Sequence, residues 1–118
     1  ITGADATLVN SFRAEMRFIR AFNYWVLMDL YGNPPFVTEE DQIGLKPPRQ
    51  IKRADLFKYV EEELLAIQEQ LGAPRTLPYG RADRAAAWAL LSRLYLNAHI
   101  YNGGTTRYND AITYSRRV

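Results

Sequence analysis

The stretch from Glu15 to Gly32 constrains the fold most, because it is predominantly apolar and has the spacing of a helix. One line of apolar side chains recurs at steps of three and four, and it comprises Leu8, Phe12, Met16, Ile19, Phe22, Val26 and Leu30. A second line runs beside it and comprises Ala14, Phe18, Ala21, Trp25 and Met28. A helix that is apolar around most of its circumference has to be covered on several sides. The sequence therefore predicts a fold built around this helix, which begins near Asp5 or Thr7 and ends at about Tyr31.

Three more stretches show helical spacing. A helix over about residues 54–71 presents an apolar line made of Phe57, Val60, Leu64, Ile67 and Leu71. Asp83 is a good N-cap for a third helix over about 83–101, which the following Asn-Gly-Gly run ends. Thr105 or Thr106 is then expected to cap a fourth helix.

Two stretches between the helices contain too much proline and glycine to be helical throughout. The first, residues 32–52, contains Gly32, Pro34, Pro35, Gly44, Pro47 and Pro48. A connection of this length is a mild hint of function, but a plain spacer over the surface is the stronger interpretation. The second, residues 72–83, is shorter.

The helix over 83–101 repeats the pattern of the first helix at an offset of 64 residues. Its run Trp88-x-x-Leu91-Ser92-x-x-Tyr95 also resembles the first helix of a tetratricopeptide repeat. Such a helix needs a small residue where its paired helix crosses, with large residues on either side. Serine meets this requirement nearly as well as the usual glycine.

The second helix of such a repeat is less well matched. Tyr108-x-x-Ala111 resembles its start, but Ser115 stands where the pattern has a large aromatic residue. We predict an all-α fold of divergent tetratricopeptide-like repeats, with about four helices in an antiparallel helix–loop–helix stack. The units would span about residues 5–71 and 83–118, and two units alone would leave apolar surface bare.

Charge and composition remove several classes of function. The net charge of +2 is small, and the basic residues of the chain are spread among acidic ones. There is therefore no electrostatic basis for nucleic-acid binding. The absence of cysteine removes zinc–thiolate sites, thiol nucleophiles and disulfides. The one histidine, His99, has no second histidine with which to build a transition-metal site. We expect no metal and no cofactor.

We find no candidate catalytic residues in the sequence. Glu61, Glu62 and Glu63 are adjacent on one helix and fan outward, whereas a glycosidase needs two carboxyls converging across a cleft. A solvated acidic face is the expectation for them. No nucleophile-elbow pattern and no glycine-rich phosphate loop is present. We therefore predict no catalytic residue and no enzyme.

Aromatic rings are the natural candidates for sugar binding, because they pack flat against the apolar face of a pyranose. The chain has two Trp, eight Tyr and five Phe, most of them on helical lines. Packing in the core is therefore expected for Trp25, Trp88, Tyr24 and Tyr95. Phe36 and Tyr79 are the loop exceptions.

Charged residues on the first helix suggest ion pairs with other helices. Three arginines line one side of it, namely Arg13, Arg17 and Arg20. Glu15 has apolar residues at the positions where a partner in the same helix would lie. We predict that Glu15 pairs with Arg81 or Arg84 at the start of the third helix.

Two blocks of this sequence resemble the signatures of a known family. The first comprises Glu15, Arg17, Phe18, Arg20, Ala21, Tyr24, Leu27, Tyr31, Gly32, Pro35 and Phe36. The second comprises Tyr79, Gly80, Arg81, Ala82, Asp83, Ala86, Ala87, Leu91, Arg93, Leu94, Tyr95 and Leu96. Together they resemble the SusD/RagB family of glycan-binding outer-membrane lipoproteins of Bacteroidetes, whose fold contains divergent tetratricopeptide units.

The resemblance implies a role in polysaccharide utilisation and nutrient uptake. Residues 1–118 would be the helical-repeat portion of a larger lipoprotein, lipid-anchored at the surface of the outer membrane through an upstream segment. The whole protein would bind starch-like or other oligosaccharides and deliver them to a TonB-dependent transporter. This segment would be the scaffold and the region in contact with the transporter.

No glycan-binding residue is assigned to this chain, because the family's stacking aromatics come mainly from segments before and after the matched part. The isolated segment is therefore expected to bind oligosaccharides weakly or not at all. The alternative from another class is a tetratricopeptide-type adaptor that holds a protein or peptide partner in its groove.

Overall fold

The computed structural model describes residues 5–42, 44 and 46–118. Its elements in chain order are α1 (Ala6–Tyr31), β1 (Pro35–Phe36), β2 (Arg49–Gln50), α2 (Arg53–Ile67), α3 (Arg84–Leu96), α4 (Ala98–Tyr101) and α5 (Tyr108–Arg117). The prediction of an all-α fold is confirmed. The molecule is a slab of 44 × 44 × 20 Å, which is about two helix diameters thick.

The ends of α1 lie where the sequence predicts them. Asp5 is the N-cap, and its carboxylate accepts a hydrogen bond of 2.9 Å from the backbone N–H of Thr7. Gly32 ends the helix with a φ of 74°, a conformation that glycine adopts without steric cost. Its N–H donates to the carbonyl of Met28 at 2.9 Å.

The packed side of α1 is the second apolar line, not the first. Ala14, Ala21, Tyr24 and Met28 are buried, with Phe18, Trp25 and Leu27 partly buried against the same core. Most of the first line faces outward, including Leu8, Phe12, Met16, Ile19, Phe22 and Leu30. The small alanines at 14 and 21 explain the choice, because α2 can approach closely only where the α1 surface is slim. The expectation that apolar surface would be left bare is met on this side.

Helix α2 buries four members of the predicted line together with Leu56, and the fifth member, Leu71, is buried just beyond the helix. The helix stops at Ile67, four residues earlier than predicted. The N–H of Gln70 bonds the carbonyl of Ile67 at 2.9 Å, which tightens the chain into a turn. Just beyond this turn lies Gly72, where a Cβ would be only 2.8 Å from the Leu77 side chain, so a larger residue there would require Leu77 to shift.

The third predicted helix is interrupted at Asn97 and continues as the short α4. Asn97 has a φ of −105° and a ψ of 15°, outside the α-helical region. The Asn-Gly-Gly run ends α4 as predicted, and Asn102 Oδ1 accepts from the N–H groups of Gly104 and Thr105. Helix α3 itself begins as predicted, with Asp83 Oδ1 accepting from the Ala86 N–H at 3.0 Å.

The predicted cap of the last helix is wrong. Neither Thr105 nor Thr106 caps α5, whose N-cap position is Arg107 with no side-chain cap bond. The start is set instead by ion pairs from Arg107 to Glu61 at 2.9 Å and to Asp110 at 2.6 Å. One of these pairs is a long-range contact with α2, and the other lies within the first turn of α5.

The helices pack as pairs. Helix α1 lies against α2 and α3 lies against α5, while α2 joins the two pairs. In the second pair Tyr95 packs on Tyr114, with ring centroids 5.8 Å apart, so the aromatic that the repeat pattern lacks at Ser115 comes from the preceding residue. The division into units 5–71 and 83–118 stays a prediction.

The long connection 32–52 carries a two-residue antiparallel ladder. Pro35 pairs with Gln50 and Phe36 with Arg49. The segment is fastened to α1 through the Tyr24 hydroxyl, which donates to the carbonyl of Val37 at 2.7 Å and accepts from its N–H at 3.0 Å. These two bonds fix the part of the connection around Val37 to α1.

Candidate functional site

A network of charged side chains joins α1, α2 and the long connection. Arg17 donates two hydrogen bonds, of 2.9 and 2.7 Å, to the carboxylate of Glu63. Arg20 reaches the same carboxylate at 3.4 Å and also pairs with Glu39 in the connection. The hydrogen bond from Arg17 holds the pKa of Glu63 below its usual range. Beside them, burial raises the pKa of Tyr59 to about 12. Every charge in this network is matched, which fits a role in packing.

The predicted partner of Glu15 is confirmed as Arg81. Arg81 Nε lies 2.9 Å from both carboxylate oxygens, and its Nη2 lies 2.9 Å from Oε1. Glu15 is the one buried charged side chain among the described residues. Arg84, the other candidate, donates instead to the carbonyls of Leu71 and Glu69. The pair ties the connection just before α3 to α1.

The prediction of a solvated acidic face is wrong for two of the three adjacent glutamates. Glu63 is held by arginines of α1, and Glu61 is paired with Arg107 on the opposite side of α2. Glu62 alone is exposed. The outward fan was predicted correctly, and it is why the three carboxyls meet different helices and form no convergent pair for glycoside hydrolysis.

The only histidine shows no metal-binding surroundings. Residues 5–42, 44 and 46–118 contain no group of three His, Asp or Glu side chains that could hold a metal ion. His99 packs edge-on against the ring of Tyr108 at 6.1 Å. Its Nδ1 is buried, and no hydrogen-bond partner lies within the described part of the chain.

The aromatic side chains are mostly committed to packing. Tyr24 and Tyr95 are buried as predicted, and Trp25 and Trp88 are half-buried. Phe36 is also buried, since its ring lies 4.9 Å from Tyr24. Tyr79 is fully exposed, and it is therefore the loop aromatic that remains open for stacking on a sugar.

A cleft that sequence reasoning missed lies where the end of α1 meets the start of α2 and the end of α4. It has a volume of about 700 Å³ and a mixed lining, in which Ile51 and Ala54 stand beside the polar side chains of Asn33, Gln50, Lys52, Arg53 and Asn102. Tyr101 also lines it, but this ring is buried and its hydroxyl donates to Asp29 at 2.8 Å. The cleft offers hydrogen-bond donors without an open aromatic face. The residues that line the cleft come from segments far apart in the sequence, so no local sequence pattern predicts it.

None of the described helices is long and apolar enough to cross a membrane.

Comparison with known proteins identifies the family. No family model matches the chain. It is 42% identical over 106 residues to the starch-binding protein SusD of Bacteroides thetaiotaomicron, which covers 90% of this chain and 18% of that protein. A SusD superfamily protein from Parabacteroides distasonis has the same fold over 100% of this chain and 26% of its own, with a TM-score of 0.84 at 26% identity. A SusD-like carbohydrate-binding protein from Bacteroides fragilis matches 93% of this chain and 22% of its own, with a TM-score of 0.74 at 26% identity.

The matched part is a small share of each relative. The chain spans about a fifth of the length of the curated relatives it matches, between 18% and 20%. Both blocks of residues that resemble the family fall within the helices and connections described above. By its sequence and its fold, the chain belongs to the SusD/RagB family.

Proposed function

We propose that this chain is the helical scaffold of a cell-surface protein that binds starch-like or other oligosaccharides. The observation that carries the proposal is the 42% identity with starch-binding SusD, which extends over 90% of the chain. The relative of known structure that is described as carbohydrate-binding supports the same class of ligand. Both relatives point to carbohydrate and not to a peptide, so the adaptor alternative is not favoured.

The positions of the aromatic side chains in the two connections support the scaffold role. Stacking on a sugar needs an exposed ring with a free face. Of the aromatics in the two connections, Phe36 is buried and Tyr79 is exposed. The charged network and the Glu15–Arg81 pair hold the helices together and contribute no open site. We therefore propose that the glycan-binding face of the whole protein lies mainly outside these residues.

Calorimetric titration of the natural full-length polypeptide with malto-oligosaccharides and a panel of other glycans tests this proposal. We expect binding that Tyr79→Ala leaves unchanged within about twofold, because one exposed ring outside the binding face contributes nothing to affinity. Thr76→Ala in the same loop is the matched control. Loss of binding in Tyr79→Ala alone would place the site in this segment and refute the scaffold role.

The cellular role is part of the same proposal. The whole protein would be lipid-anchored at the outer membrane, and it would pass glycan to a TonB-dependent transporter that this segment contacts. The family resemblance supports this role. Fractionation of the native cells, protease accessibility on intact cells, and co-purification with a transporter test it. Recovery in the cytoplasm, or purification without any transporter, would contradict it.

A further inference from the structure

The cleft beside Tyr101 carries positive charge that no carboxylate neutralises within the part of the chain that the structure describes. Lys52 and Arg53 both line it, and neither forms an ion pair with a described residue. None of the described residues in its lining is acidic. Asp29, which accepts the hydrogen bond from Tyr101, lies outside the lining and pairs with neither cation. The cleft therefore favours an anionic ligand.

An amide group in the cleft is held in place by the two segments beside it. Asn33 Oδ1 accepts from the backbone N–H of Arg53 at 2.7 Å, and the Asn33 carbonyl accepts from Gln50 Nε2 at 2.8 Å. Because its Oδ1 is used by α2, Asn33 presents the Nδ2 donors, which have no acceptor among the described residues. The stem of Arg53 passes beside Gly32, where a Cβ would lie 3.9 Å from Arg53 Cδ. One amide and two cations thus offer donors to the same recess.

The rest of the lining matches the other groups of a sugar. Gln50 Oε1 has no donor among the described residues, so it can accept from a hydroxyl group. The aliphatic side chains of Ile51 and Ala54 can lie against the C–H groups of a pyranose. The volume of about 700 Å³ is within the usual range of sites for small molecules, about 300–1,000 Å³. A sugar that carries a carboxylate would use the cations, the amides and the aliphatic groups together.

We propose that this cleft is a charge-selective saccharide site, in which Arg53, Lys52 and the Asn33 amide bind the carboxylate of a uronic acid unit. Charged donors form their strongest hydrogen bonds with carboxylates, and the guanidinium group can bind both oxygens at once. Recognition does not use stacking, because Tyr101 is only 3% exposed. The inference rests on the proposed glycan-binding function and adds acidic oligosaccharides to its ligands. The site would be separate from the main glycan-binding face.

Calorimetric titration of the natural full-length polypeptide with an acidic and a neutral sugar tests the charge preference. The ligands are trigalacturonic acid and the galactose trisaccharide with the same linkage, which differ in their carboxylates. We expect the acidic trisaccharide to bind at least tenfold more tightly at low ionic strength. The preference should shrink when the sodium chloride concentration is raised about tenfold, because exposed charges are screened by salt. Equal affinities for the two sugars at low salt would overturn the proposal.

Substitutions in the cleft test where the acidic sugar binds. Arg53→Gln removes the charge and should lower the affinity for trigalacturonic acid about tenfold. Asn33→Asp keeps an oxygen that can accept from the Arg53 N–H but adds a negative charge, and it should weaken binding at least as much. Lys58→Gln is the matched control, since this residue is exposed on α2 outside the cleft, and its affinity should stay within about twofold. Urea unfolding followed by circular dichroism verifies that each variant is folded.

Two results with these variants would overturn the proposal. Undiminished affinity for trigalacturonic acid in both Arg53→Gln and Asn33→Asp would place the acidic sugar elsewhere. An equal loss of affinity for neutral malto-oligosaccharides would mean that the cleft belongs to the main glycan-binding face. The malto-oligosaccharide titration of the unmodified protein tests the proposed function separately, since it does not depend on the charge preference.

Sodium acetate and sodium sulfate distinguish a saccharide site from a site for any anion. We expect each salt to displace trigalacturonic acid only at concentrations at least tenfold above the Kd of the sugar, because a free anion does not contact the amide and aliphatic parts of the lining. If either salt binds as tightly as trigalacturonic acid, the cleft binds anions in general and the assignment to an acidic saccharide is wrong.

Discussion

Removing Arg81 should destabilise the fold more than neutralising Glu15, although the two residues form one ion pair. The Glu15 side chain is 8% exposed, whereas that of Arg81 is 34% exposed. Arg81→Ala leaves a buried carboxylate without its cation, and we expect a loss of about 3 kcal/mol in the free energy of unfolding. This figure is at the low end of the usual range because Arg81 is already partly hydrated.

Glu15→Gln should lower the free energy of unfolding by about half as much as Arg81→Ala. The amide keeps one oxygen that can accept from Arg81, and the guanidinium can turn toward water, so we expect a loss of about 1.5 kcal/mol. Equilibrium urea unfolding followed by circular dichroism measures both variants and the double variant. Arg116→Ala is the control, since this exposed residue at the end of α5 should change stability by less than about 0.5 kcal/mol. An Arg81→Ala loss no greater than that of Glu15→Gln would refute the argument from burial.

Three further substitutions test other parts of the structure. Trp88→Ala should lower the free energy of unfolding by about 2 kcal/mol, as measured by urea unfolding. This loss is smaller than the range for a fully buried ring, because the Trp88 indole is half-buried. An unchanged free energy of unfolding would mean that the indole contributes no packing. Glu63→Gln should be less stable than the parent protein at pH 7, and the difference should vanish as the pH falls through the lowered pKa of Glu63, because the stabilising bond from Arg17 needs the charged carboxylate. A difference that persists at pH 2 would contradict this. Gly72→Ala should lower the midpoint of thermal unfolding, with a cost of about 1–3 kcal/mol, because its methyl group would collide with Leu77; an unchanged midpoint would show that Leu77 moves aside freely.

The packed side of α1 shows how far helical periodicity reaches. The spacing correctly predicted a helix from Asp5 to Tyr31 and correctly identified two apolar lines on it. Periodicity locates apolar faces, but it does not state which one the rest of the chain will cover. That choice depended on the small residues Ala14 and Ala21, which let α2 come close, and it left Met16 and its neighbours outside.

The sequence likewise predicted some of the ion pairs and not others. The sequence narrowed the partner of Glu15 to Arg81 or Arg84, because the repeat pattern placed the start of the third helix beside α1, and the structure selects Arg81. It did not predict that Glu61 and Glu63 would find arginines on opposite sides of α2, since those partners are 46 residues away in both directions along the chain. Nothing local distinguishes a carboxylate that meets a distant arginine from one that faces water.

The sequence alone determined the helices, their main stop signals, the class of fold and the family, because each of these is written in local spacing or in residues that keep their order along the chain. The tertiary structure decided which apolar line is buried, which glutamates are neutralised, that Phe36 is covered while Tyr79 is open, and where the cleft lies. These features arise where segments far apart in sequence meet, and their energies depend on distance and burial, which exist only once the chain has folded.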